Sequence, residues 1–417
     1  MQAVATGAIA ARPAMPPRKA KLRNKAMRGS AHAQQRLDRR SLCEAILVGG
    51  HVQSFIDFFY LTHRPAPVQD ETASADAPPA EIVVPAEEMA FMRARLEGAE
   101  DGRQSGDTAA IYAGYNALAK YFQDSRDPRT GVYFYEKCLE VARVTHDRRG
   151  EMAANRSLGA AFDRMGDAAA AAAYHERHQE LAAAEDGDAE ARAAAAELVG
   201  VYRKCAEGKE ASGDYRGAIE LWQKSVQAAR TAHDRRAEGQ ACYRLGRTWI
   251  ELGEPLKALT HLEDFETAAR ELDDLEAQGQ ACAAIAAAYQ ALQNDAQALQ
   301  YLTRQLELAG RTQDVAAQVQ ASSSLGALHA RRGEHAKALD MFTRRYALAR
   351  AVASAGGGGG GSGGGGSSES ADAARCAVGV AQANEMLEAY TQAVTGDLKA
   401  LLDWKCNRVR PGGGRRR

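Results

Sequence analysis

Proline is nearly missing from the middle of this 417-residue chain. Nine of its eleven prolines lie at or before Pro85 or at Pro411, leaving Pro128 and Pro255 between. Aromatic residues are scarce as well, at 6%. No stretch approaches the ~20 consecutive apolar residues of a membrane-spanning helix. The seven cysteines contain no Cys-x-x-Cys pair, which argues against zinc knuckles and for reduced thiols. What is abundant is alanine, the best helix former, in a stretch almost free of the strongest helix breaker. This argues against an all-β chain and disfavours a parallel α/β sheet. With 45% hydrophobic residues, wholesale disorder is excluded too.

The net charge of −1 hides an asymmetry. Residues 1–40 carry +9 and residues 408–417 carry +5, leaving the body at −15. Basic ends on an acidic body suit an acidic partner surface, such as nucleic acid, anionic lipid or the acidic tails of tubulin. The N-terminal composition also fits an organelle transit peptide or a plain solubilising tail.

Along the chain, 1–40 reads as a disordered basic arm and 41–63 as an N-terminal helical segment. Ala45, Ile46, Phe55, Ile56, Phe59 and Tyr60 give that segment an apolar face, and Gly49-Gly50 breaks it. Residues 64–85 form a Pro-rich acidic linker, and 86–353 read almost wholly as helix. The Gly/Ser-rich stretch 354–372 reads as a flexible loop, because ten of the 39 glycines fall between Gly356 and Gly366. Residues 373–405 read as capping helices over the last repeat, and 406–417 as a basic tail.

Within the helical stretch the sequence repeats every 40 residues. Leu245, Ile285 and Leu325 are equivalent, each followed by a small residue, Gly246, Ala286 and Gly326. Ala258, Ala298 and Ala338 follow, then Leu262, Leu302 and Phe342. Leu158, Gly159 and Ala171 mark an earlier unit, and Thr145-His146-Asp147-Arg148-Arg149 nearly duplicates Ala232-His233-Asp234-Arg235-Arg236. Each unit predicts two antiparallel helices, A and B, brought close by the small residues. Gly166, Gly213, Gly253 and Gly333 are placed to end helix A, and Pro255 to start helix B. One such pair cannot bury its apolar face, but a stack of three or more can.

The pattern resembles the tetratricopeptide repeat in a longer, 40-residue form. The fold class expected is all-α, a tetratricopeptide-type helical-hairpin solenoid. Cys242, Cys282 and Ser322 stand where that repeat has an early Trp, so the cysteines read as small core residues.

Little catalytic chemistry is visible. The chain has no phosphate-binding glycine loop and no nucleophile elbow. His175 and His178 are spaced as a metal-binding pair on a helix, but no motif completes a site, and they read as part of a solvated face. The expectation is no enzyme, no cofactor and no metal. What remains is surface. The helix A residues pointing away from helix B are Arg156, Arg164, Arg203, Gln240, Tyr243, Arg247, Gln280, Gln290, Gln320 and Arg331. This Arg- and Gln-rich face is the candidate partner-binding groove, suited to hydrogen bonding an extended or helical peptide.

Several runs go beyond the generic repeat. Gly50-His51-Val52-Gln53-Ser54-Phe55, Tyr121-Phe122-Gln123-Asp124-Ser125, Phe134-Tyr135-Glu136-Lys137-Cys138, Tyr174-His175-Glu176 and Leu401-Leu402-Asp403-Trp404-Lys405 resemble, in order, the tetratricopeptide repeat protein 29 family. The resemblance spans about 41–405 and leaves both basic ends uncovered. It implies a non-catalytic axonemal protein of cilia and flagella, partnered with an inner-arm dynein heavy chain and companion subunits. It gives the basic arm a candidate partner in tubulin and implies neither nucleic acid nor membrane as a partner. The other class open to a repeat of this type is a cytosolic signalling or polarity scaffold that binds linear peptides.

Overall fold

A computed structural model describes residues 38–63, 84–124, 127–184, 188–356, 365–396 and 398–407. Most of the basic arm, of the Pro-rich linker and of the basic tail, together with 357–364 of the Gly/Ser stretch, lies outside the described residues. Every regular element among the described residues is helical. The chain divides into two compact units, Met1–Leu181 and Ala182–Arg417.

The first unit holds α1 (38–48), α2 (Val52–His63), α3 (Ala86–Ser105), α4 (Thr108–Asp124), α5 (Pro128–Val144) and α6 (Arg148–Arg164), with most of α7 (Ala168–Ala183). The second holds α8 (Asp188–Ala211), α9 (Tyr215–Thr231), α10 (Arg235–Glu251), α11 (Pro255–Glu271), α12 (Leu275–Ala291) and α13 (Asp295–Arg311). It continues through α14 (Val315–Arg331), α15 (His335–Gly356), α16 (Gly365–Gly396) and α17 (Leu398–Asn407). In the second unit, consecutive helices from α8 to α17 pack on one another as successive hairpins.

Three-residue turns set the helix boundaries. In the motif shared by 146–149 and 233–236, the His adopts a left-handed backbone (φ 53° and 55°) and the Asp caps the next helix. Asp147 accepts from the Gly150 N–H at 3.0 Å and Asp234 from the Ala237 N–H at 2.9 Å. Such a cap contributes about 1 kcal/mol by satisfying an otherwise orphaned donor. Turns from A to B instead place Gly in the left-handed position, as at Gly253 (φ 85°), where Pro255 then opens α11. The A-to-B turn between α12 and α13 departs from this and uses Gln293 (φ 58°).

Inside each hairpin the small residue permits close approach. A Cβ on Gly246 would stand 2.6 Å from Leu262 Cγ, and one on Gly326 would stand 2.8 Å from the Phe342 ring. Ala258, Leu245, Leu262, Ile285 and Trp222 are fully enclosed. Cys242 and Cys282 are buried beside them, and burial pushes their thiols up to about 12 and about 11. Neutral thiols of this kind are inert packing groups.

Three expectations need correction. The apolar face expected across 45–60 is split. The Gly49-Gly50 turn, with Gly50 at φ 84°, resets the helical register, so Ile46 and Phe58 are buried while Ile56, Phe59 and Tyr60 are exposed. The loop expected over 354–372 is partly helix, because α15 runs to Gly356 and α16 starts at Gly365. The Ala-rich run from Ala371 extends helix back through the serines, and the propensity cost of a few weak formers is only about 1 kcal/mol each. Finally, His175 and His178 are not on a solvated face, since both are buried. His175 fills the place that Leu262 holds in its own hairpin, with its ring against Gly159.

In the first unit α2 is fastened to α3 by polar contacts. Glu100 accepts from the backbone N–H of Gln53 (3.2 Å) and Ser54 (2.8 Å), completing the N-terminus of α2. His51 bonds Asp101 at 2.7 Å, and buried Asp57 accepts from the Tyr133 hydroxyl at 2.9 Å.

Candidate functional site

The first helices of successive hairpins in the second unit, α8, α10, α12 and α14, share a stripe of residues that their own hairpins do not bury. Arg203 and Tyr243 hold one repeat position, and Gln240, Gln280 and Gln320 another. On α10 the spacing Gln240, Tyr243, Arg247 keeps three side chains on one helix face.

Arg203, Gln240, Tyr243 and Gln280 line an open groove of about 440 Å³, together with Gly200, Glu207 and Arg244. A second groove of about 280 Å³ continues it, lined by Tyr243, Gln280, Gln305 and Gln320. Tyr243 and Gln280 belong to both, so five of the expected residues form one continuous surface. Gln240 and Gln280 also border a smaller recess of about 210 Å³ with Arg235, Arg236, Asp274 and Glu276.

The floor beside Arg203 is held rigidly. Glu210 accepts from the indole N–H of Trp222 (2.8 Å), the Thr248 hydroxyl (2.7 Å) and Arg244 (2.9 Å). Arg244 also lies 5.3 Å over the Trp222 ring and 3.6 Å from Glu207, so its charge is already engaged. At the rim, Arg235 donates to Glu271 (2.6 Å) and Glu238 (2.8 Å), and those bonds raise its proton affinity further. Arg203 forms no ion pair among the described residues, and Arg247 sits 6.0 Å over the Tyr243 ring. The groove therefore presents amide groups, one aromatic face and the Arg203 guanidinium, while Arg247 lies against Tyr243 outside the lining. That set can donate hydrogen bonds to backbone carbonyls and carboxylates of a bound segment.

The structure does not gather the rest. Arg331 is exposed but tied to Asp295 at 2.6 Å. Gln290 is half-buried near the end of α12 and lines none of these three recesses. Arg156 and Arg164 lie on α6 in the first unit, where Arg164 donates to Gln123 at 3.4 Å. Sequence reading missed Glu207, Glu276 and Arg244. Their positions follow from the repeat, but the ion pairs that fix Arg244 join residues 34 and more positions apart. No described helix is long and apolar enough to cross a membrane.

No family model matches the chain. It is 31% identical over 166 residues to tetratricopeptide repeat protein 29 of Mus musculus, a match covering 38% of this chain and 35% of that protein. It is 25% identical over 225 residues to tetratricopeptide repeat protein 29 of Trypanosoma brucei brucei, covering 54% and 45%. The chain thus spans less than half the length of these two curated relatives. A solved structure of kinesin light chain tetratricopeptide-like repeats from Podosopora anserina is 16% identical, with a TM-score of 0.34, covering 48% of this chain and 96% of that one. With its 40-residue hairpins, this chain is a tetratricopeptide-type helical-repeat protein similar to tetratricopeptide repeat protein 29 of mouse and trypanosome.

Proposed function

We propose that the protein is a non-catalytic adaptor of the ciliary and flagellar axoneme. It associates with an inner-arm dynein and helps attach it to the doublet microtubule, supporting motility. The observation that carries this reading is the similarity to tetratricopeptide repeat protein 29. The groove of α8, α10, α12 and α14 supplies a physical means, because it offers donors and an aromatic face to a segment of a dynein heavy chain or companion subunit. The +9 charge of residues 1–40 suits the acidic tails of tubulin.

Stepwise extraction of axonemes tests the reading. The protein is expected in the fraction that carries inner-arm dyneins. A protein confined to the soluble cell body, with a groove that captures short linear peptides, would make it a cytosolic signalling scaffold instead. Within the adaptor reading, reversing both Arg203 and Arg247 to Glu should weaken partner capture at least tenfold, since each charge-assisted hydrogen bond contributes about 1.5–3 kcal/mol. Circular dichroism should show unchanged helicity. Unchanged capture would move the partner to another face.

A further inference from the structure

The last helices of a repeat array normally present a polar outer face, because nothing stacks beyond them. Here α16 breaks that rule. Its inner face places Ala374 and Ala381 in the interior, packed on α15. Its outer face carries Ala373, Cys376, Val380, Ala383, Leu387, Tyr390 and Val394, all exposed. The four large residues among them are 61%, 58%, 38% and 49% exposed, in chain order. Their spacing alternates three and four residues over three heptads, the a/d pattern of a two-helix coil. A surface helix that only docks on one neighbour needs one apolar stripe. This one has two.

We propose that two copies of this chain associate through the outer face of α16, as an antiparallel two-helix coil. Size complementarity along the seam selects both occupant and direction. The N-terminal half of the seam is small and the C-terminal half is large. Paired antiparallel, a positions meet d positions, so Cys376 meets Val394, Val380 meets Tyr390 and Ala383 meets Leu387, each pair occurring twice about the two-fold axis. Every layer then combines a smaller with a larger side chain, which fills the interface to uniform density. A parallel coil in register would stack Ala383 on Ala383, leaving a void, and Tyr390 on Tyr390, crowding the next layer but one.

Charge raises no objection to a second copy. The flanking positions Ala377, Gly379, Asn384, Met386 and Thr391 are uncharged, and Asp372 is paired with Arg375 at 3.3 Å. Coiled coils choose unlike partners largely through charges at these positions, and here they are missing. The pairing buries roughly 1,000 Å² in total, near the lower limit for a specific interface, which is the size of a reversible association. This inference is independent of the axonemal reading, since it needs only the geometry of α16.

Sedimentation of the full chain at tens of micromolar should show a dimer. Leu387→Glu should shift it to the monomer, with helicity kept because the residue is exposed in the single chain, and with the melting temperature of the wild-type chain diluted to the monomer. Direction is read separately with a short bifunctional thiol reagent in a Cys406→Ser background, which removes the other exposed C-terminal thiol. Adding Val394→Cys should yield a covalent dimer that joins Cys376 of one copy to the thiol introduced in the other, while Cys406→Ser alone should not. A wild-type chain that stays monomeric overturns the proposal. A dimer that survives Leu387→Glu, or cross-linking through Cys376 alone, also overturns it.

Discussion

The hairpins of the second unit and the helix near each end of the chain are held by different means. In the hairpins, register is fixed by shape: Gly246 against Leu262, Gly326 against Phe342, and alanines where helices touch. At the N-terminal end, α2 adds a polar fastening, with Glu100 completing its first turn and His51 bonded to Asp101. At the C-terminal end, α16 packs on α15 through alanines and leaves its larger apolar residues outside. Shape-locked helices should answer to changes in volume, and the polar-fastened helix to pH.

The sharpest way to break the hairpins is at Trp222, which is enclosed and donates to Glu210. Trp222→Ala should cost about 3–5 kcal/mol, read as a large fall in the denaturation midpoint. It should also free Arg244 and loosen the groove floor, so partner capture should weaken with it.

A matched pair of glycine substitutions comes next. Gly246→Val pushes a branched side chain into Leu262 and should cost about 1–3 kcal/mol. Gly379 lies in the interior of α16, and a Cβ there meets nothing within 4 Å. Gly379→Ala should therefore stabilise by up to about 1 kcal/mol through helix propensity alone. Thermal melts of the two variants decide the contrast, and equal effects would erase it.

The smallest effect is the pH response of α2. The hydrogen bond to Asp101 raises the His51 imidazole above its ordinary 6.5, so that contribution is complete below 6.5 and is lost as pH rises through the raised value. Burial alone would raise the Glu100 carboxyl, but the Ser54 hydroxyl and the backbone donors of Ser54 and Gln53 outweigh it and hold it below its ordinary 4.5. That contribution is complete above 4.5 and is lost as pH falls. Amide exchange, corrected for intrinsic rates, should show α2 losing protection as pH rises above 6.5, with the hairpins α10–α13 far less sensitive. His51→Gln should flatten the upper limb. An unchanged limb would place the fastening elsewhere.

What could be read from the sequence was whatever repeats at short range. The 40-residue period, the small residues of Gly246 and Gly326, the left-handed glycine turns such as Gly253 and the buried cysteines all follow from spacing within one unit, whereas the left-handed His233, Asp273 and Gln313 do not. What escaped depended on side chains whose type disguises their place. His175 does the work of a leucine, and no pattern match finds a leucine site under a histidine. The α1–α2 register was hidden because two glycines shift a face without changing composition. In the groove, the positions of Gln240, Gln280 and Gln320 were legible from the period. The engagement of Arg244 was not, because it depends on carboxylates of another helix. The seam on α16 was present as a heptad, yet apolar residues near the end of an array read naturally as the inside of a cap.

The three-residue turns between hairpins carry a consequence of their own. His233-Asp234, Asp273-Asp274 and Gln313-Asp314 are interchangeable joints, each a left-handed residue followed by a capping aspartate. Excising residues 235–274 would splice the Asp234 cap directly to Leu275, recreating a joint the chain already uses. Duplicating the same stretch would do so as well. The array therefore behaves like a ruler cut in whole divisions: its reach is free to change by one hairpin at a time, while the joints themselves stay the same.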